Sequence, residues 1–107
     1  MDISKYVVDI KKFTKAKVDE KAVAAMYKRM AGVLGRRDAS TVAATDKKEL
    51  SRVKYNFISK RLGVKGEKAQ DAIDAVCVKM KKDRSKNRLT FYYLLAEELG
   101  KLSKVKK

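Results

Sequence analysis

The sequence has no histidine and only one cysteine, and its aromatic content is 7%. Without histidine the commonest acid/base side chain is missing, and so are most zinc cages. No catalytic residue, metal or cofactor is therefore expected, and the chain reads as a non-enzymatic protein. Cys77 has no partner within the chain, which rules out an intramolecular disulfide and points to a reducing compartment. Long apolar runs are also missing. Nothing approaches the ~20 consecutive apolar residues of a membrane-spanning helix. Asp2, Lys5, Asp9, Lys11 and Lys12 interrupt the stretch from Met1 to Phe13, where a signal peptide would carry its apolar region. These absences lead to the expectation of a cytoplasmic protein with no integral membrane association. No glycine-rich phosphate loop, zinc signature or nucleophile elbow occurs. The few aromatics fit apolar stripes better than a platform for stacking single-stranded bases.

Positive charge is what the chain has in abundance. Lysine and arginine number 28 against 13 acidic residues, a formal net charge of +15 on 107 residues, and the excess falls in both halves of the chain. Such a potential attracts polyanions and strains the compact state by self-repulsion unless something neutralises it. Nucleic acid is the leading partner, and a solvated lysine surface is the bland alternative. With 45% hydrophobic residues the chain has material for a core, and its length suits one domain.

Periodicity points to an all-α fold, a compact bundle of about five helices forming a single domain over 1–107. Ile3, Tyr6, Val7, Ile10 and Phe13 recur at helical spacing, with Lys5, Lys11, Lys12 and Lys15 opposite. Asp19 is placed to cap a second helix striped by Ala22, Val23, Met26, Tyr27, Met30, Val33 and Leu34, with Gly35 ending it in a left-handed conformation. Asp38 is expected to cap a short turn through Val42 and Ala43. Asp46 and Glu49 then make a capping box for a third helix that buries Leu50, Val53, Phe57, Ile58 and Leu62 and stops at Gly63. A fourth helix turns Ala69, Ala72, Ile73, Val76 and Met80 inward and leaves Glu67, Asp71 and Asp74 as an acidic face. From Leu89 to Leu102 apolar residues point nearly all round the helix, which places this C-terminal helix at the centre of the bundle. Residues 101–107 form a basic tail expected to fray. No run alternates at period two long enough to make a strand.

Basic residues at helix starts oppose the helix dipole unless an anion is present. Arg36 and Arg37 precede the turn at Asp38, and Arg84, Lys86 and Arg88 precede the last long helix, with Ser85, Asn87 and Thr90 as hydrogen-bonding neighbours. Both clusters are candidate phosphate sites. On the third helix, Lys48, Arg52, Tyr55, Asn56 and Ser59 share the face turned away from Leu50, Val53 and Phe57. Arginine, asparagine and serine there can read base edges while lysine and tyrosine contact phosphates, but no helix-turn-helix spacing supports base reading and a solvated helix face is the preferred reading; if nucleic acid binds, little sequence specificity is expected. The alternative is a protein–protein or self-association module, in which basic surfaces meet acidic protein faces such as Glu67, Asp71 and Asp74 of another copy. Peripheral attachment to membranes through the first helix is a third reading, set aside because the core needs that helix's apolar residues.

Ser4-Lys5-Tyr6 with Asp9-Ile10-Lys11-Lys12, Arg37-Asp38-Ala39-Ser40 through Val42-Ala43 to Asp46 and Glu49-Leu50, Ala75-Val76-Cys77, and RLTFYYLLAE from Arg88 to Glu97 together resemble a family of small bacterial proteins, unknown-function domain 2853. The similarity covers nearly the whole chain. It implies a compact helical domain in a bacterial cytoplasm, and no activity, substrate or catalytic residue.

Overall fold

A computed structural model of the chain describes residues 3–35, 41–42, 46–82 and 86–106. Most of its elements begin and end where the sequence signals them. α1 (Ser4–Lys11) turns Tyr6, Val7 and Ile10 into the core, with Ile3 and Phe13 packed at its edge. α2 (Glu20–Leu34) starts where the Asp19 carboxylate accepts the Ala22 N–H at 3.2 Å, satisfying a donor that the helix start leaves unpaired. It buries Ala22, Val23 and Met26, with Tyr27, Met30 and Leu34 half-buried beside them; the Val33 side chain lies outside the description. Gly35 departs from expectation. Its φ is not positive, and its N–H still bonds the Ala31 carbonyl at helical spacing, 3.1 Å away.

The Asp46 carboxylate caps α3 (Lys47–Arg52) by accepting the N–H groups of Lys48 and Glu49. The helix then widens into π-helical turns over Val53–Ser59. Lys60 N–H reaches back five residues to the Tyr55 carbonyl, and Leu62 N–H to that of Phe57, at 3.2 and 3.1 Å. Val53, Phe57, Ile58 and Leu62 are buried as expected, while Leu50 is only half-buried. Gly63, with φ of 73°, ends the segment in the left-handed region that a residue with a Cβ resists. α4 (Glu67–Lys79) buries Ala69, Ala72, Ile73 and Val76, followed by Met80.

α5 (Arg88–Glu98) opens with the Asn87 side chain accepting the N–H groups of Leu89 and Thr90. It buries Leu89, Thr90, Phe91, Tyr93, Leu94, Leu95 and Ala96, so it has no solvent face of ordinary width. Every other helix packs on it or on a neighbour that does. The central position expected for the C-terminal helix is therefore observed. Its polar atoms are used as fasteners. Thr90 Oγ1 donates to Asp9 Oδ2 of α1 at 2.7 Å, and the fully buried Tyr93 accepts the Asp19 N–H on its hydroxyl at 2.9 Å. Thr14 Oγ1 donates to Glu97 Oε2 at 3.0 Å. Among the described residues no buried side-chain polar atom lacks a partner.

Two parts of the chain differ from the sequence reading. Thr41 and Val42 form a short strand, β1 (Thr41–Val42), rather than a helical turn; Asp38 and Ala43 lie outside the described residues. β1 pairs antiparallel with β2 (Lys86–Asn87), Thr41 opposite Asn87 and Val42 opposite Lys86. A two-residue ladder is too short to imprint an alternating pattern, and burial of Val42 holds it against the core. The tail expected to fray from 101 carries a last helical turn, α6 (Leu102–Val105). Val105 is fully buried, and Lys106 forms an ion pair with Asp19. One apolar side chain among lysines is a weak periodic signal, yet it is enough to fasten the turn to α2 and α5. No helix among the described residues is long and apolar enough to cross a membrane.

Two outcomes test this packing. Leu94→Ala, at the buried centre of α5, should lower unfolding free energy by about 2–5 kcal/mol, whereas Val78→Ala at a position 72% exposed should stay within about 0.5 kcal/mol in urea titrations. The Asp19 carboxyl is held below its ordinary 3.8, chiefly by the hydrogen bond from Lys106, against burial and with the Ala22 and Lys21 N–H groups assisting. A carboxyl so depressed stabilises the fold above its unfolded pKa and loses that contribution as pH falls through the folded value. Lys106→Ala should therefore be less stable than the parent at neutral pH, by about 0.2–1 kcal/mol for a half-exposed pair. The two proteins should converge as pH drops below 3.8.

Candidate nucleic-acid interface

The basic residues singled out in the sequence have three different fates. Arg36, Arg37 and Arg84 lie outside the described residues. Lys48 and Arg52 stand on the exposed side of α3, with the Arg52 side chain 71% accessible. Lys86 and Arg88 are turned inward. Lys86 is buried within β2, and the Arg88 side chain retains 14% accessibility.

Arg88 is an internal structural cation rather than one of an exposed phosphate-binding group. Its Nη2 donates to a Glu49 carboxylate oxygen and to the Thr41 carbonyl, the latter at 3.2 Å. Its Nη1 donates to the Tyr92 hydroxyl at 3.0 Å. Burial opposes its charge most strongly, but the Glu49 carboxylate and Tyr92 outweigh that cost and leave its pKa above the ordinary value. The planar fork of arginine suits this triple contact, and a lysine could not reproduce it. Glu49 departs from the capping-box role that its spacing from Asp46 predicts. In a capping box its carboxylate would bond back to the Asp46 N–H; here it faces Arg88, with Arg52 Nη1 3.9 Å from its other oxygen. Only the Asp46 half of the box forms.

The π-helical turns divide the polar face expected on the third helix. Five-residue hydrogen bonding changes the angle between successive side chains, so positions that share a face on an α-helix separate. Tyr55, 66% exposed, joins Lys47, Ser51, Lys54 and Gln70 along a polar groove between this helix and α4. Asn56 instead lines a cavity on the other side with Phe57 and Arg61. Lys47 and Lys54 were not singled out in the sequence, although a separation of seven residues is a two-turn signal. A second basic cluster joins Lys17 to Lys11 and Lys15, which the sequence places opposite the apolar stripe of the first helix, around the connection from α1 to α2 with Thr14 and Glu20. That connection has no periodicity to reveal it.

The acidic residues follow a contrasting pattern. Asp9, Asp19, Glu49, Glu97 and Glu98 each engage a partner from elsewhere in the chain. Glu67, Asp71 and Asp74 remain exposed on α4, where Asp74 accepts a hydrogen bond from Gln70 at 3.0 Å. Among the described residues no group of three or more metal-ligating side chains comes together. Cys77 is half-buried, and burial raises its thiol pKa, as does Asp74 to a lesser degree, while Lys86 opposes them. A thiol so placed is a weak nucleophile.

The internal pair has a measurable signature. Removing one partner strands the other as a buried charge, so Arg88→Ala and Glu49→Ala should each destabilise by about 3 kcal/mol or more. A double-mutant cycle by denaturant unfolding should show that the two losses do not add.

No match to the chain was found among curated proteins. A family model described as "Protein of unknown function (DUF2853)" matches residues 5–103, a span that begins within α1 and reaches into α6. The chain belongs to that family.

Proposed function

We propose that this protein is a cytoplasmic, non-enzymatic binding module whose partner is the backbone of a nucleic acid, recognised with little regard to sequence. The observation that carries the reading is the net charge of +15 on a fold whose described carboxylates are largely engaged with their own chain. Each ion pair withdraws one charge of either sign, so the excess of +15 persists in the folded protein. Exposed lysines and arginines neutralise phosphates and release condensed counterions, a gain that depends on salt and not on base identity. Lys48 and Arg52 on α3, with Lys47 and Lys54 along the neighbouring groove, supply such contacts, and Tyr55 adds a hydrogen-bonding hydroxyl. Arg36, Arg37 and Arg84 are further candidates from their positions in the sequence. Lys86 and Arg88 are not, because burial has already committed them.

A second reading is favoured by the exposure of Glu67, Asp71 and Asp74 on one side of α4. That face is complementary to the basic surface of another copy or to basic regions of a protein partner. Salt-dependent self-association without nucleic acid, measured by sedimentation, would favour it.

Titration with random-sequence duplex oligonucleotides across salt concentrations decides the first reading. Log affinity should fall linearly with log salt, with a slope of about −0.9 per phosphate neutralised. Replacing Lys47, Lys48, Arg52 and Lys54 together by Gln should weaken binding equally on all sequences and flatten the slope by up to about 3–4. An unchanged slope would remove this surface from the interface, and no binding in low salt would end the proposal.

A further inference from the structure

The two basic clusters on the surface stand on opposite sides of α5, as the contacts of that helix show. Thr90 and Glu97 are seven residues apart, two helical turns, and so share a face. That face carries α1 and its connection to α2, because Thr90 donates to Asp9 and Glu97 accepts from Thr14. Arg88 and Tyr92 are each two residues from Thr90, about 160° away round the helix, and face the other way. Arg88 pairs with Glu49 of α3, and the Tyr92 ring stacks on Phe57 of the π-helical segment. Lys47, Lys48, Arg52 and Lys54 therefore lie beyond one face of α5, and Lys11, Lys15 and Lys17 beyond the other.

The lysines of both clusters keep their charge available. Among the described residues no carboxylate lies within ion-pairing distance of Lys11, Lys15, Lys17, Lys47, Lys48 or Lys54. Around the α1–α2 connection the three lysines share their hollow with a single acidic residue, Glu20. A DNA duplex is stiff over about 150 base pairs, so a short one lying on α3 does not bend round to that connection. The second cluster is left for a second duplex. The molecule measures at least 27 Å along each principal axis. Duplexes on its two sides are thus separated by about three Debye lengths of roughly 8 Å at physiological salt, and their repulsion is screened.

We propose that the protein bridges two nucleic-acid duplexes, one held by Lys47, Lys48, Arg52 and Lys54 and the other by Lys11, Lys15 and Lys17, so that it gathers separate segments instead of coating one. This bridge rests on the nucleic-acid reading above and adds a second site to it. The second site is the weaker, having three cations against four and Glu20 among them. A single copy of the chain suffices, because both sites belong to one folded body.

The test uses two random-sequence duplexes of about 20 base pairs, far below the stiffness length, one tethered to beads and one fluorescent. Both are kept in excess over the full chain, in low salt. The parent protein should retain the fluorescent duplex on the beads, and retention should fall steeply as salt rises. Replacing Lys11, Lys15 and Lys17 together by Gln should cut retention by at least about tenfold. Affinity of that variant for a single duplex should stay within about twofold of a control with the same charge loss, in which Lys65, Lys81 and Lys82 are replaced by Gln at exposed positions outside both clusters. The control should still bridge. So should the variant with Arg at 11, 15 and 17, which keeps the charge. Binding of one duplex without retention of the second would overturn the bridge and leave the nucleic-acid reading standing, whereas absence of all binding would end both. Retention that survives loss of Lys11, Lys15 and Lys17, as it would if two copies joined to make the link, or that falls equally in the control, would also overturn it.

Discussion

A helix without a polar face must be surrounded, and α5 imposes that constraint on the rest of the molecule. Its buried residues run from Leu89 to Ala96 almost without interruption, so solvent exposure of any side would cost apolar burial that a chain of this size can ill spare. The few polar atoms that α5 retains decide where its neighbours sit. Thr90 meets Asp9 of α1, Tyr93 meets the start of α2, Arg88 meets Glu49 of α3 and the Thr41 carbonyl of β1, and Glu98 meets Lys79 of α4 at 3.1 Å. Apolar burial is non-directional; these hydrogen bonds and ion pairs add the direction. The cap at Asp19 illustrates the economy, since one residue starts α2, donates its N–H to Tyr93 and holds Lys106 after the last helical turn.

The same arrangement bears on charge. A net +15 makes the folded state self-repelling, and acidic residues are the resource that limits it. Much of that resource is spent on internal fastening: Glu49 neutralises a buried arginine, and Asp9 accepts a buried hydroxyl. Each ion pair also takes up a cation, so the excess set by composition remains, with lysines gathered along the polar groove beside Tyr55 and around the turn from α1 to α2. Structural use of carboxylates and a cationic exterior are thus two sides of one distribution, and a polyanion partner would relieve what the fold leaves uncompensated.

The π-helical segment is the point at which local geometry changes what the surface can do. An uninterrupted α-helix would keep Tyr55 and Asn56 on one polar face with Lys48 and Arg52. Wider turns send Tyr55 to a groove facing α4 and Asn56 to a cavity facing α2. Such turns are uncommon and frequently accompany functional sites. Here they yield two surfaces of different chemistry from one helix, a polar basic groove and an apolar cavity rimmed by arginines.

Much of the scaffold was legible in the order of residues. Apolar spacing located α1, α2, α4 and α5 and most of their buried residues, because a helix repeats its inward face at a fixed interval. Asp19, Asp46 and Gly63 marked boundaries because caps are local and depend on a few neighbouring atoms. Several decisions were beyond local pattern. Gly35 continues the helical hydrogen bonding instead of reversing it, and Thr41–Val42 extends because Lys86–Asn87 lies alongside. Burial of Val105 turns a basic tail into α6. The candidate site divides in the same way. That the protein is strongly cationic is a property of composition, indifferent to folding. Which cations face outward is not: Arg88 and Arg52 look equivalent along the chain, yet one is enclosed by Glu49, Tyr92 and the Thr41 carbonyl and the other stands in solvent. Sequence by itself determined the helices and the sign of the charge, because both arise from residue type and short-range spacing. Tertiary structure alone decided which charges are spent and where a cavity opens, because those depend on groups that meet only when segments tens of residues apart are packed together.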